Sequence, residues 1–275
     1  MNRTKERLRH CQPVFGGWLM TGNPAVAEIM AGEGFDFLGV DMEHTPTNVA
    51  SFYHIALAVK GTGCDLLARL PSCDPVLAKQ VLDLGAAGII VPSVSSPKEA
   101  AQAVAMAKFP PEGIRGASLC RATGFGKNFD EYYAAHNREV IVVVMLEHII
   151  AVQQADTILA TPGLDAALVG PYDLSASLDL AGQLEHPEVR AAQQAILNAC
   201  QRQKVAAGIH VVSEDPEGVR RRVEAGFRFI ACGIDTLFIR EGCRRMLEGV
   251  QRHESDVTNT SDQGRDHADN PRYRA

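Results

Sequence analysis

The sequence predicts one α/β domain folded as a closed (β/α)8 barrel of the TIM type, preceded by a short N-terminal segment and followed by a disordered tail. Three observations predict it. Short β-rich runs alternate with helical patterns eight times along the chain. Several of those runs, such as Ile89-Ile90-Val91 and Val140-Ile141-Val142-Val143-Val144, are continuously apolar, as parallel strands covered on both faces require. Finally, residues 13–250 form a stretch close to the roughly 250 residues typical of such barrels. A doubly wound open sheet is the alternative, and the count of eight favours closure.

Each strand and helix pair follows from local pattern. The first three are Phe15 to Met20 then Pro24 to Ala31, Phe37 to Met42 then Val49 to Val59, and Leu66 to Leu70 then Pro75 to Leu84. Gly88 to Pro92 precedes Pro97 to Ala107, and Val140 to Met145 precedes Ile149 to Leu159. Ala166 to Val169 is followed by Pro187 to Gln203, Ala206 to His210 by Pro216 to Ala225, and Phe229 to Cys232 by Thr236 to Val250. Pro24, Pro75, Pro97, Pro187 and Pro216 stand at helix starts, where a missing N–H costs little. Gly34, Gly85 and Gly226 end helices and turn the chain into the next strand. One stretch breaks the rhythm: Phe109 to Glu139 is too long for a simple connection and reads as a lid, a binding loop or an interface arm.

Composition excludes several classes. The 275 residues are 46% hydrophobic, which excludes disorder throughout, and a net charge of -6 argues against nucleic-acid or anionic-membrane partners. The longest bulky apolar run, Val140 to Leu146, is far short of a membrane span, and Met1 to His10 lacks the apolar stretch of a secretory signal. Seven cysteines without a Cys-x-x-Cys pair fit reduced thiols, so the expected location is the cytoplasm. Residues 251–275 carry only Val257 and Tyr273 as sizeable apolar groups, which is why a disordered tail is expected there.

Reactive groups in parallel barrels gather at the C-terminal ends of strands. There stand Asp41-Met42-Glu43-His44, Arg69, Ser93, Glu147-His148, Asp173, His210 and Asp235. Glu147 and Asp173, on neighbouring strands, suit a hard divalent cation bound through oxygen; the bland alternative is that each caps the helix after it. Zinc is disfavoured, because His44, His148 and His210 come from separated strands. Arg69 lies inside an apolar strand end and must meet a carboxylate. That partner is either Asp41 or the carboxylate of a bound acid.

The motifs resemble those of the HpcH/HpaI aldolase family, the metal-dependent pyruvate aldolases. The residues carrying the resemblance are Val40-Asp41-Met42-Glu43-His44-Thr45-Pro46, Ala68-Arg69-Leu70-Pro71, Leu82 to Pro92, Pro110 to Gly116, Met145-Leu146-Glu147 and Gly170-Pro171-Tyr172-Asp173-Leu174-Ser175. The resemblance implies that Glu147 and Asp173 hold a divalent metal, Mg²⁺ or Mn²⁺ with Co²⁺ also compatible. It implies that Arg69 holds the pyruvate carboxylate, that His44 paired with Asp83 moves a proton, and that Gly170, Pro171 and Ser175 line the substrate pocket. The reaction implied is reversible cleavage of a 4-hydroxy-2-oxo acid to pyruvate and an aldehyde through an enolate that the cation stabilises. A homo-hexamer built from dimers that exchange the last helix is implied as well.

No strand end offers a Schiff-base lysine; Lys60, Lys79, Lys98 and Lys108 sit on or just beyond helices. Two departures bear on the acceptor. Met145 stands where well-studied relatives carry Gln, and His148 replaces a small hydroxyl residue. Two other readings keep the same pocket: condensation of a 2-oxo acid with another acceptor, citrate-forming or acyl-CoA-linked, and a non-catalytic sensor of metal and 2-oxo acid.

Overall fold

The structure, a computed structural model, describes residues 2–212 and 215–263, with side chains described as far as residue 250. Eight parallel strands close a barrel in sequence order, β1 pairing with both β2 and β8. The strands are β1 (Val14–Leu19), β2 (Phe37–Asp41), β3 (Asp65–Arg69), β4 (Gly88–Val91), β5 (Ile141–Leu146), β6 (Ala166–Val169), β7 (Ala206–Val211) and β8 (Phe229–Ile234). The helices are α1 (Arg3–Arg9), α2 (Pro24–Gly32), α3 (Val49–Ala58), α4 (Pro75–Asp83), α5 (Pro97–Ala107) and α6 (Phe129–Glu139). They continue with α7 (Ile149–Gln153), α8 (Ala155–Leu159), α9 (Pro171–Ala176), α10 (Pro187–Gln203), α11 (Pro216–Ala225) and α12 (Asp235–Gln263).

Helix starts follow one chemical rule. Asn23, Asp74, Ser96, His186 and Asp215 each precede a proline at the first helical position and accept a backbone N–H two or three residues on. The core has two parts. An outer layer lies between strands and helices and includes Leu38, Phe52, Ile55, Leu82, Ile89, Val144 and Ile196. The barrel interior is filled by Trp18, Phe37, Leu67, Ile90, Val143, Met145, Leu168 and Phe229, with the Phe37 and Phe229 rings stacked 4.3 Å apart. Gly39 makes room for the Trp18 indole: a Cβ there would lie 2.7 Å from the ring. Leu8 of α1 joins this interior cluster, so the N-terminal segment is a helix that packs onto the barrel.

The long excursion behaves differently from the rest. It leaves the C-terminal end of α5, which lies at the N-terminal face of the barrel, and runs to α6, which feeds β5 from that same face. Ala122 N–H donates to the Asp83 carbonyl, Arg121 to the carbonyls of Leu84 and Ala56, and Arg115 to the Asp83 carboxylate at 2.7 Å. Those anchors sit at or beyond the C-terminal ends of α3 and α4, so the stretch is not a lid over its own barrel's mouth. Helical backbone in α12 continues past residue 250, where the sequence reading places the end of the barrel; residues 264–275 of the expected tail lie outside the described residues.

Candidate active site at the C-terminal mouth of the barrel

Asp41, the last residue of β2, organises one side of the mouth. Its Oδ1 accepts the backbone N–H groups of Glu43 at 2.9 Å and His44 at 2.8 Å, which folds the loop after β2 into a tight turn. Its Oδ2 accepts the Trp18 indole N–H and Arg69 Nη1, both at 2.9 Å. Burial pushes this carboxyl upward, but the His44 N–H, Trp18 and Arg69 together hold it below the usual carboxylate range.

Arg69 therefore meets Asp41, and its Nη2 reaches Glu43 Oε2 as well. The guanidinium is 6% exposed, and its Nε–H has no acceptor among the described residues. It is held from two sides through Nη1 and Nη2, and its Nε–H stays unused. His44 stands on the rim with 58% of its side chain exposed, its Nε2 3.6 Å from Glu43 Oε2.

Across the mouth, Glu147 follows β5 and is 6% exposed. Its Oε1 accepts the Ser93 backbone N–H at 2.7 Å and the Ser93 hydroxyl at 3.2 Å. Ser93 adopts a left-handed backbone with φ 55°, a conformation unfavourable for a residue with a side chain, and that turn is what aims its N–H at the carboxylate. Glu147 Oε2 is buried without a hydrogen-bond donor among the described residues. Gly170, which caps α9, is close-packed against that oxygen: a Cβ there would lie 2.5 Å from it.

Asp173 is exposed on the first turn of α9, and its charge acts on both Glu147 and Glu43. Burial, with these neighbouring acids adding to it, pushes Glu43 and Glu147 above the usual carboxylate range despite Arg69. Asp41, Glu43, Glu147 and Asp173 thus share one mouth with Arg69. Among the described residues no cage of three His, Cys, Asp or Glu side chains is present. Two acids and an unpartnered buried oxygen in an anionic mouth fit a divalent cation with open positions better than a closed structural metal site.

Other sequence-derived candidates are placed elsewhere. Asp83 ends α4 at the opposite face of the barrel from His44, and within this chain it pairs with the fully buried side chain of Arg115. The barrel's topology separates them, because α4 runs antiparallel to the strands. Ser175 is fully buried; its hydroxyl donates to the Tyr172 carbonyl at 2.7 Å and accepts the Gly182 N–H at 3.0 Å, tying α9 to the next loop. His148 caps α7 by accepting Ile150 N–H at 3.1 Å, and Asp235 ties β8 to the turn after β1 through Met20 and Thr21.

Trp18 and His210 complete the interior side of the mouth, their rings 4.9 Å apart. Burial pushes His210 down to about 4, so it stays neutral there. The contributions of Trp18 and Ser93 were not legible from the sequence: Ser93 offers no sign of its backbone turn, and Trp18 reads as an ordinary core aromatic.

A model of the HpcH/HpaI aldolase/citrate lyase family matches residues 15–241, nearly the whole barrel. The chain belongs to the HpcH/HpaI aldolase/citrate lyase family. It is accordingly a carbon–carbon lyase that cleaves by an aldol route. It is 37% identical over 258 residues to the hydroxypyruvate/pyruvate aldolase of Paraburkholderia phytofirmans, covering 91% of this chain and 98% of that protein. The 5-keto-4-deoxy-D-glucarate aldolase of Escherichia coli O6:H1 is 36% identical over 252 residues, covering 91% and 97%. Among solved structures, an HpcH/HpaI aldolase/citrate lyase family protein from Burkholderia cenocepacia superposes with a TM-score of 0.87 at 35% identity, covering 91% of this chain and all of that one. The matched segment contains every mouth residue described above.

Proposed function

We propose that this enzyme reversibly cleaves a 4-hydroxy-2-oxo acid into pyruvate and an aldehyde, using Mg²⁺ or Mn²⁺ held by Glu147 and Asp173. The observation that carries the reading is the buried Oε2 of Glu147, without a partner among the described residues, in a mouth it shares with Asp41, Glu43, Asp173 and Arg69. A divalent cation bound there supplies the Lewis acidity that lets a 2-oxo acid form its enolate near neutral pH. Ser93 and Gly170 fix the Glu147 carboxylate: one holds Oε1 and the other leaves space beside Oε2. Arg69, braced by Asp41 and Glu43 and with its Nε–H still without an acceptor among the described residues, is the group we assign to the substrate carboxylate. The buried ring of Trp18 and the neutral His210 stand together on the interior side of the same mouth.

His44, at the exposed rim and beside Glu43, is the group we assign to proton transfer at Nε2. A pairing of His44 with Asp83 requires a second copy of the chain, since one chain carries them at opposite faces. That requirement agrees with a homo-oligomer, as do the exposed apolar side chains Leu119 and Phe125 on the excursion and Met246 and Leu247 on α12. We also place the protein in the cytoplasm: all seven cysteines are free thiols, and no described helix is long and apolar enough to cross a membrane.

The test is deuterium exchange into the pyruvate methyl group, followed by NMR. Exchange is expected to require added Mg²⁺ or Mn²⁺ and to disappear in Glu147→Ala. Exchange that persists in metal-stripped protein, or in that variant, would sink the assignment.

A further inference from the structure

The opposite end of the barrel carries a second polar cavity that the lyase reaction does not use. It has a volume of about 730 Å³ and lies at the N-terminal face, between α1 and the segments that lead into β6, β7 and β8. That size falls within the roughly 300–1,000 Å³ of small-molecule sites. Its walls are partly apolar, from Leu8, Leu164 and Val205, and five cations line it: Lys5, Arg9, Lys108, Lys204 and Arg228. Asp165 is the sole acid among the lining residues.

Two of the five cations are already neutralised. Lys5 Nζ meets Asp165 at 2.9 Å, and Lys108 Nζ meets Glu112 at 2.7 Å. The other three have no carboxylate partner among the described residues. Arg228 donates to the carbonyls of Cys11, Val223 and Phe227, and Arg9 to that of Arg138, so neither charge is compensated. Lys204 makes no side-chain bond to a described residue. For a chain with a net charge of -6, this local surplus of positive charge runs against the balance of the molecule. Mutual repulsion is felt inside the cluster: burial lowers Lys5, and Arg9 and Lys108 lower it further against Asp165.

A purely structural reading, in which these side chains fasten α1 to the barrel, accounts for Lys5 and Arg228 but not for Lys204. That residue ends α10 in a left-handed conformation with φ 58°, where glycine is the preferred choice. Cys11, also at the cavity, has φ 55°. A lysine at a glycine-type position, lining a cavity with uncompensated cations, has a ligand-type explanation.

We propose that this cavity is an accessory site for a small organic anion carrying at least two negative charges on an apolar body, a phosphate monoester or a dicarboxylate. Lys204, Arg9 and Arg228 supply the charge, and the apolar wall accommodates the carbon skeleton. The site lies at the opposite face from Glu147 and Arg69, so occupancy there does not depend on the lyase assignment.

The experiment is calorimetric titration of the full chain with adenosine 5′-monophosphate, succinate and acetate, with Mg²⁺ and saturating pyruvate present so that the mouth is filled. Saturable one-to-one binding of the phosphate ester, of the dicarboxylate or of both is expected, with acetate much weaker; which anion binds identifies the source. Lys204→Gly is expected to weaken binding by about tenfold while its thermal midpoint equals or exceeds that of the parent, because glycine relieves the left-handed turn. Arg9→Gln should weaken binding similarly. Absence of saturable binding by either dianion, equal binding of acetate, or binding unchanged in both variants would overturn the proposal.

Discussion

Replacing Gly170 with alanine tests how tightly the mouth is built around Glu147. The backbone at Gly170 has φ -91° and ψ 95°, a conformation open to alanine, so the added methyl group acts through contact alone. That methyl carbon would lie 2.5 Å from Glu147 Oε2 and 3.0 Å from Glu147 Cβ, whereas ordinary contact begins near 3.4 Å. The carboxylate must therefore retreat by about 1 Å, and its other oxygen is tied to the Ser93 N–H at 2.7 Å. Either the Ser93 bond gives way, at about 1.5–3 kcal/mol for a hydrogen bond to a charged group, or the site stays overpacked at about 1–3 kcal/mol. Both routes move the oxygen proposed to hold the metal, and disturbing the support of a metal ligand costs about 10–100-fold in affinity. Mn²⁺ titration followed by electron paramagnetic resonance should show that loss, together with slower methyl exchange. The thermal midpoint should fall by only several degrees, at roughly 2–4 °C per kcal/mol. Mn²⁺ affinity within twofold of the parent, with exchange retained, would refute the claim that Gly170 is there to admit Glu147.

Three further outcomes follow from the same geometry. Ser93→Gly should leave stability unchanged or raise it by up to about 1 kcal/mol, since φ 55° suits glycine, yet lower the exchange rate several-fold through loss of the hydroxyl on Glu147; an unchanged rate with unchanged Mn²⁺ affinity would remove Ser93 from the site. His136, buried and flanked by Arg115, is pushed down to about 4, first by burial and then by that neighbour's charge. The unfolded chain takes up a proton near pH 6.5 that the native ring refuses, so stability falls as pH drops from about 6.5 toward about 4. Between pH 7 and pH 5 this amounts to about 2 kcal/mol, with His210 adding a similar share. Urea midpoints of His136→Gln should recover about half of that combined fall, and an unaltered acid dependence would contradict the assignment. Trp18 is the chain's single tryptophan and bonds to Asp41 within the mouth, so its fluorescence should respond to Mn²⁺ with pyruvate in the parent but not in Glu147→Ala; an equal response in both would detach Trp18 from the proposed metal site.

The strands were legible because each is a short apolar run with a chemically marked stop, and their observed bounds differ from the expected ones by no more than two residues at either end. Helices beginning with an acceptor side chain and proline were equally plain. What escaped were elements whose stability comes from elsewhere. Helix α6 buries only His136, α9 is six residues long, and α1 is a charged turn whose reason to exist is Leu8 in the barrel interior and Lys5 on Asp165. The single helix expected over Ile149 to Leu159 is two, α7 and α8, meeting at Gln154. Nothing in the local pattern marks that break.

For the site, position along the chain located the acids but not their partners. Arg69 admits two chemically equivalent explanations in sequence, and the register of β2 against β3, which sets Asp41 beside Arg69, supplies the first of them while leaving its Nε–H without an acceptor among the described residues. Asp83 and Ser175 stood in the right motifs, yet the chain directs one to Arg115 at the far face and the other into backbone bonds beneath α9.

Local pattern is enough for the eightfold alternation, the closure of the barrel and the placing of its acids and Arg69 at the C-terminal mouth. Those depend on periodicity and turn chemistry, which act over a few residues. Long-range packing alone sets which oxygen of Glu147 is left without a partner, where the long excursion is anchored, and that uncompensated cations from α1 and the two segments leading into β7 and β8 meet at a second cavity. These outcomes depend on distances between residues far apart in the chain, and no local pattern encodes such distances.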